Sequence, residues 1–339
     1  MGSDIGDLFE RRESELGTHL RGQIVAIDAY NTIYQFLSSI RQRDGTPLKD
    51  SRGRVTSHLS GLLYRTTNLV EAGLKLVFVF DGVPPDFKAA TIEKRRKIRD
   101  TADREWKEAL AAGREDAFKY AQATSRLQPE MVADAKSLLT SMGIPVVEAA
   151  SEGEAQAARM ARSGDVRFVG SQDYDSLLFG APEVVRNLAV GGKRKLPGKN
   201  VYVDVKLEII ELQPNLDRLG ITQEQLIDIA ILVGTDYDPG IHGIGAKKAL
   251  QLIYKHGSIE DALPILGESI EHLDEIKNFF LNPDVTDDYS LTWKKPDESK
   301  IAELLCHEHG FSEVRVAKAV ERLVRASDSM SQSTLDMWS

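Results

Sequence analysis

The chain has 339 residues, 42% of them hydrophobic, and a formal net charge of −9. That is enough for a large core with a smaller appendage, and no apolar run approaches the ~20 residues of a membrane span. The single cysteine, Cys306, excludes an internal disulfide and four-cysteine zinc sites, and the opening MGSDIGDLFERR lacks the succession of a secretory signal, so the cytoplasm is the expected setting.

In chain order, the first apolar run is Gln23 to Ile27 (QIVAI), which ends at Asp28. The second, Leu74 to Phe80 (LKLVFVF), ends at Asp81. The third, Val166 to Gly170 (VRFVG), leads into Asp173 and Asp175. Unbroken apolar runs separated by helical patterns are buried parallel strands, so the expected class is α/β, with a mostly parallel central sheet and helices on both faces. Singly, an Asp after a strand is explained as a cap or turn residue. Three together, at the carboxyl ends where α/β sheets bind ligands, point to one cleft.

After Asp81 comes a charged, helix-prone stretch from about Pro84 to Leu127. Between Lys88 and Lys107 it carries eight bases against four acids, a local excess of four positive charges in an acidic chain. A solvated helix ordinarily explains such a run. Its position beside Asp81 instead carries Lys88 and Arg95 to the mouth of the acidic cleft, within reach of a phosphate.

Ser151 to Ala158 (SEGEAQAA) opens a helix, and Ser151 with Glu154 matches a capping box, with Glu152 in the first turn. Leu188 to Val201 is expected to be a loop between two short strands with basic residues at its tip. A helix beginning near Thr222 stops at a Gly-Thr-Asp turn that holds Asp236. The following PGIHGIGAKKA sets Gly240, Gly243 and Gly245 before a new helix bearing Lys247 and Lys248. Glycines there let backbone N–H groups approach an anion at a helix start, the pattern of a helix-hairpin-helix that grips nucleic-acid backbone without reading bases. After Ala326 the sequence is read as polar and unpatterned.

Seven acids are thus singled out: Asp28, Asp81, Glu152, Glu154, Asp173, Asp175 and Asp236. Crowded carboxylates are relieved by protonation or by cations, and an all-oxygen set favours Mg²⁺ or Mn²⁺ over Zn²⁺. Seven are more than one ion uses. A pair of Mg²⁺ ions would use them, and such pairs serve in-line displacement at phosphorus, with Lys88 and Arg95 clamping the phosphate.

IDAYN around Asp28, VFDGVPP around Asp81, EGEAQAA, SQDYDSLLFG and VGTDYDPGIHGIGAKKA together resemble the flap endonucleases of the XPG-like family, most of all the archaeal type, in family order along the whole chain. The resemblance implies a PIN-like core and a structure-specific 5′ nuclease with 5′-to-3′ exonuclease activity, serving lagging-strand maturation and long-patch repair with two Mg²⁺ ions on these acids. It makes the basic insertion a helical arch threaded by the 5′ strand, with Lys88 and Arg95 at its base. It places Gly2 near the active site, Tyr34 against a base, and a K⁺ ion at the helix-hairpin-helix. The tail residues Gln332, Leu335 and Trp338 resemble a sliding-clamp peptide, from which Ser339 departs at the second aromatic position.

The implied organisation is one monomeric nuclease domain over 1–326. Its core is 1–83 and 128–236, its arch 84–127, its helix-hairpin-helix 237–260 and its C-terminal helical part 261–326, followed by a flexible tail, 327–339. A haloacid-dehalogenase-like phosphatase would need its Asp pair after the first strand, where Asp28 is followed by Ala29 and Tyr30. A non-catalytic DNA-junction or clamp-binding scaffold of the same fold is the other reading, and the complete acidic set stands against it.

Overall fold

The computed structural model describes residues 3–42, 44–112, 120, 124–188, 193–195 and 202–336. The strands are β1 (Arg12–Ser14), β2 (Ile24–Asp28), β3 (Lys75–Phe80), β4 (Val146–Glu148), β5 (Phe168–Gly170), β6 (Glu183–Arg186), β7 (Lys193–Lys195), β8 (Tyr202–Asp204) and β9 (Leu207–Glu211). The main sheet has the order β1-β9-β6-β5-β2-β3-β4. From β6 to β4 every pairing is parallel, whereas β9 and β1 close one edge antiparallel.

The apolar strands are unbroken because both faces of the sheet are covered. In β3, Leu76, Phe78 and Phe80 enter one core while Val77 and Val79 enter the other, and β2 divides Val25 and Ile27 from Ala26 in the same way. The helices in the first half of the chain are α1 (Ala29–Ser39), α2 (Ser57–Glu71), α3 (Ala89–Ala111), α4 (Pro129–Ser141), α5 (Gly153–Ser163) and α6 (Asp175–Leu178). They are followed by α7 (Leu212–Leu219), α8 (Gln223–Val233), α9 (Ala246–His256), α10 (Ile259–Leu266), α11 (Leu273–Leu281), α12 (Glu298–Ala302) and α13 (Glu313–Asp336). Helices α1, α2, α4 and α13 pack on the face of Phe78, and α5, α8, α9 and α11 on that of Val77.

Topology places the cleft. From β2 the chain builds β3 and β4 to one side, then crosses back to lay β5 and β6 on the other. The carboxyl ends of β2 and β5 therefore flank the point where strand order reverses, the expected crevice of such a sheet.

Two expectations are corrected. The basic residues assigned to a loop tip, Lys193, Arg194 and Lys195, lie in β7, paired antiparallel with β8. The tail assigned from 327 onward is helical as far as Asp336, because α13 does not stop at Ala326. Val316, Ala319, Val320 and Leu323 are buried, and Ala326 and Met330 prolong the same stripe against the core.

Candidate active site

Asp28 is the last residue of β2 and caps α1, its Oδ1 accepting the Asn31 N–H at 3.0 Å. Asp81 directly follows β3, and its Oδ1 accepts the N–H of Gly153, the first residue of α5, at 2.8 Å. A side chain at 153 would place its Cβ 2.8 Å from that oxygen, so the approach depends on glycine.

Glu152 and Glu154 enter from the start of α5. The expected capping box is absent: Glu152, not Ser151, is the N-cap, with no side-chain cap bond. Glu154 is instead turned into the cleft, where Oε1 accepts the hydroxyls of Ser171 at 2.7 Å and Ser176 at 3.1 Å.

Asp173 and Asp175 flank the turn after β5. Asp173 Oδ2 accepts the Asn31 side-chain amide at 2.7 Å, and Asp175 Oδ1 accepts the Ser3 N–H at 2.9 Å. The first described residue thus reaches the site, while Gly2 lies outside the described residues. Asp236 follows α8, and its neighbour Tyr237 is buried beside the acids.

The electrostatics are those of crowded carboxylates. Asp28 is pushed well above the usual carboxylate range by burial, then by Asp81, Asp173 and Glu152. Glu154 is raised well above its range by burial, then by Asp28, Asp175 and Asp173. Burial and Glu152 lift Asp81 to about 6, and burial and Asp236 lift Asp175 to about 7. The Tyr237 phenol is raised by burial and by Glu152, Asp175, Asp236 and Glu154, and with the mutual repulsion of Asp28, Asp81, Asp173 and Glu154 this places all seven acids around one space. Among the described residues no three His, Cys, Asp or Glu groups close on a single ion position; the carboxylates ring the cleft instead.

Lys88 faces this ring at the foot of α3, its Nζ donating to both Glu152 oxygens at 2.6 and 2.5 Å. Burial depresses its ammonium, but Glu152, with Asp81 and Asp236, outweighs that and holds it above its ordinary value. The neighbouring Phe87 seats it, packing edge-on against Tyr237 at 5.3 Å and Phe279 at 5.5 Å. Arg95 lies on α3, with its side chain outside the description. Tyr34 is half-buried on α1, and the Arg99 guanidinium of α3 stands 5.1 Å over its ring.

The glycine-rich turn joins α8 to α9. Gly240 (φ +70°) and Gly243 (φ +77°) are left-handed, and a Cβ on Gly240 would sit 2.4 Å from the Gly234 nitrogen. Gly243, Gly245, Lys247 and Lys248 are exposed, so the start of α9 presents backbone N–H groups and two ammonium groups on one surface.

Comparison with known proteins fits this geometry. Models of the XPG N-terminal domain and the XPG I-region match residues 10–102 and 143–236. The chain is 61% identical to Flap endonuclease 1 of Archaeoglobus fulgidus over 338 residues, covering 100% of both chains. The chain belongs to the flap endonuclease 1 family. Another family relative, Flap endonuclease 1 of Pyrococcus furiosus, is 57% identical and covers 100% of this chain and 99% of its own. The solved flap endonuclease-1 of Methanococcus jannaschii superposes with a TM-score of 0.76 at 42% identity, over 96% of this chain and 98% of that one. The Rad2 catalytic core, solved with DNA substrate, shares the fold at a TM-score of 0.69 and 23% identity, over 94% and 97% of the two chains.

Asn31, Ser171, Ser176 and Tyr237 belong to the site as well, yet were not singled out. Each stands inside one of the quoted family motifs, which is the signal that marks them. Gln332 and Leu335 fall on the α13 backbone, and Trp338 lies outside the described residues.

Proposed function

We infer that this flap endonuclease 1 family member hydrolyses a phosphodiester bond near the base of a 5′ flap on duplex DNA, with a 5′-to-3′ exonuclease activity besides. The observation that carries the reading is the ring of seven carboxylates at the switch point of the sheet, with Lys88 as its counter-charge. The donors fit hard divalent cations: all are carboxylate oxygens, and burial together with mutual repulsion pushes Asp28 and Glu154 well above the usual carboxylate range, a strain that positive charge relieves. Two Mg²⁺ ions, or Mn²⁺ in their place, would stabilise charge on the attacking and leaving oxygens of an in-line displacement.

The chain's own groups do the rest. Asp28, Asp81, Glu152, Glu154, Asp173, Asp175 and Asp236 hold the ions, and Asn31, Ser171, Ser176 and the Ser3 N–H fix the carboxylate orientations. Lys88, with Arg95, neutralises the scissile phosphate, and Tyr34 stacks on a neighbouring base. The insertion 84–127 serves as the arch over the 5′ strand, and Gly2, outside the described residues, serves near the active site as the family resemblance implies. Gly240, Gly243, Gly245, Lys247 and Lys248 hold duplex backbone away from the cut, and the family resemblance implies that the same turn would carry a K⁺ ion. Gln332, Leu335 and Trp338 dock a sliding clamp. In this reading the protein works as a monomer in the cytoplasm on replication and repair intermediates; among the described residues no helix is long and apolar enough to cross a membrane.

The test is cleavage of one labelled strand presented as a 5′ flap, as a 3′ flap and as blunt duplex. Mg²⁺-dependent cutting of the 5′ flap at least about 100-fold faster than the 3′ flap, a discrimination of about 3 kcal/mol, supports the reading. Equal rates on all three contradict structure specificity.

A further inference from the structure

Tyr174 stands between Asp173 and Asp175, yet its contacts lie on the other side of the turn, toward the N-terminal segment and the sheet edge. Its ring stacks on Phe9 at 5.7 Å with an interplanar angle of 18°. Its hydroxyl accepts two guanidinium donors, Arg186 Nη1 at 2.6 Å and Arg11 Nη2 at 2.8 Å. Arg186 also donates from Nε to the Gln172 carbonyl at 3.0 Å, so one side chain grips the backbone just before Asp173 and the side chain just after it.

Arg186 is itself fixed. It lies in β6 directly opposite Glu208 of β9, and Nη1 meets Glu208 Oε2 at 3.1 Å. Arg11 reaches the same carboxylate at 3.4 Å and donates to the Gly6 carbonyl at 2.9 Å. The fit is close: a Cβ on Gly6 would lie 2.4 Å from the Tyr174 oxygen.

We propose that Arg186 is a positioning residue for the metal site, setting the separation and aim of Asp173 and Asp175 by holding Gln172 and Tyr174 at once. The proposal rests on the divalent-ion reading of the cleft. A planar guanidinium suits the task because its fork satisfies two acceptors in fixed directions, which an ammonium does not. Tyr174 transmits the hold, and the segment from Ser3 to Arg11 closes over it like a strap, with Ser3 on Asp175 itself.

The test is calorimetric titration of Mn²⁺ into the full chain, for wild type, Arg186→Met, Arg186→Lys and Tyr174→Phe, with melting temperatures recorded in chelator. The expected result is Mn²⁺ affinity weakened about tenfold in Arg186→Met, in the range of losses for groups that orient metal ligands. Arg186→Lys should be similarly weakened, and Tyr174→Phe less so, because the Gln172 contact survives. The Mg²⁺ needed for half-maximal flap cutting should rise in parallel while KM for DNA stays within about twofold, which loss of fold alone would not produce. Tyr174→Phe removes one oxygen from a stacked ring, so it reports on the hold even where Arg186→Met fails to fold. Unchanged affinity in Tyr174→Phe and in folded Arg186→Met, or full rescue by Arg186→Lys, overturns the proposal. Absence of Mn²⁺ binding by the wild type would overturn the divalent-ion reading as well, which separates the two failures.

Discussion

At the scale of single residues, Lys88 and the carboxylates pull the site in opposite directions. Lys88 is paired with Glu152, which holds its ammonium above its ordinary value, and in the proposed reading it exchanges that partner for a phosphate entering the cleft. Lys88→Ala is therefore expected to slow single-turnover cutting about 100-fold or more while duplex affinity changes by about twofold at most. Equal losses in rate and affinity would contradict its catalytic role. Asp81 and Asp175, raised to about 6 and about 7, protonate more readily in the fold than in the unfolded chain. The native state thus binds extra protons between about pH 4 and pH 7, and the stability this gives is complete below that window and lost as pH rises through 6 to 7. In chelator at pH 7.5, Asp175→Asn should accordingly melt about 2 °C or more above the wild type. That advantage should vanish at pH 5, and Mg²⁺ at pH 7.5 should stabilise the wild type more than the variant. A variant that melts lower than the wild type at pH 7.5 in chelator would remove the argument from carboxylate strain.

At the scale of elements, the turn between α8 and α9 is built to be close-packed behind and open in front. Thr222 and Gln225 form a reciprocal capping box that starts α8, and Gly234 and Gly240 pack backbone on backbone behind the turn. In front, Lys247 and Lys248 stand exposed on the first turn of α9. Two phosphate contacts there should show in salt dependence rather than in chemistry. Replacing both lysines by Ala is expected to lower the slope of log affinity against log salt by about 2, leaving the rate at saturating DNA unchanged. An unchanged slope would remove this face from the DNA interface. At its other end, α13 outlasts its expected stop, so Gln332 and Leu335 leave the core on a helix rather than a free tail. A chain ending at Ser331 should lose retention on immobilised sliding clamp while cutting free flaps normally; retention equal to that of the full chain would sink the clamp assignment.

For the whole molecule, the sheet was legible because strands covered on both faces leave unbroken apolar strings, as at Gln23 to Ile27 and Leu74 to Phe80. Their acids were legible because topology converts strand ends into a common rim. The short antiparallel edge of β9 and β1 left no such string, and Met330 was too isolated a signal to extend α13. The supports of the site were hidden for another reason: Asn31 meets Asp173 across 142 positions and Ser3 meets Asp175 across 172, distances over which no local pattern carries information. Glu154 shows the converse, a motif that matched a cap and serves the cleft instead. In the proposed reading these acids, brought together only by folding, make one metal-dependent hydrolytic site. Single-turnover cleavage of a labelled 5′-flap duplex by wild type and Asp175→Ala, in Mg²⁺ and in chelator, tests it most directly. Flap release is expected from the wild type in Mg²⁺ alone and should be abolished in Asp175→Ala while DNA binding persists; cutting in chelator, or wild-type binding without cutting, would exclude such a site.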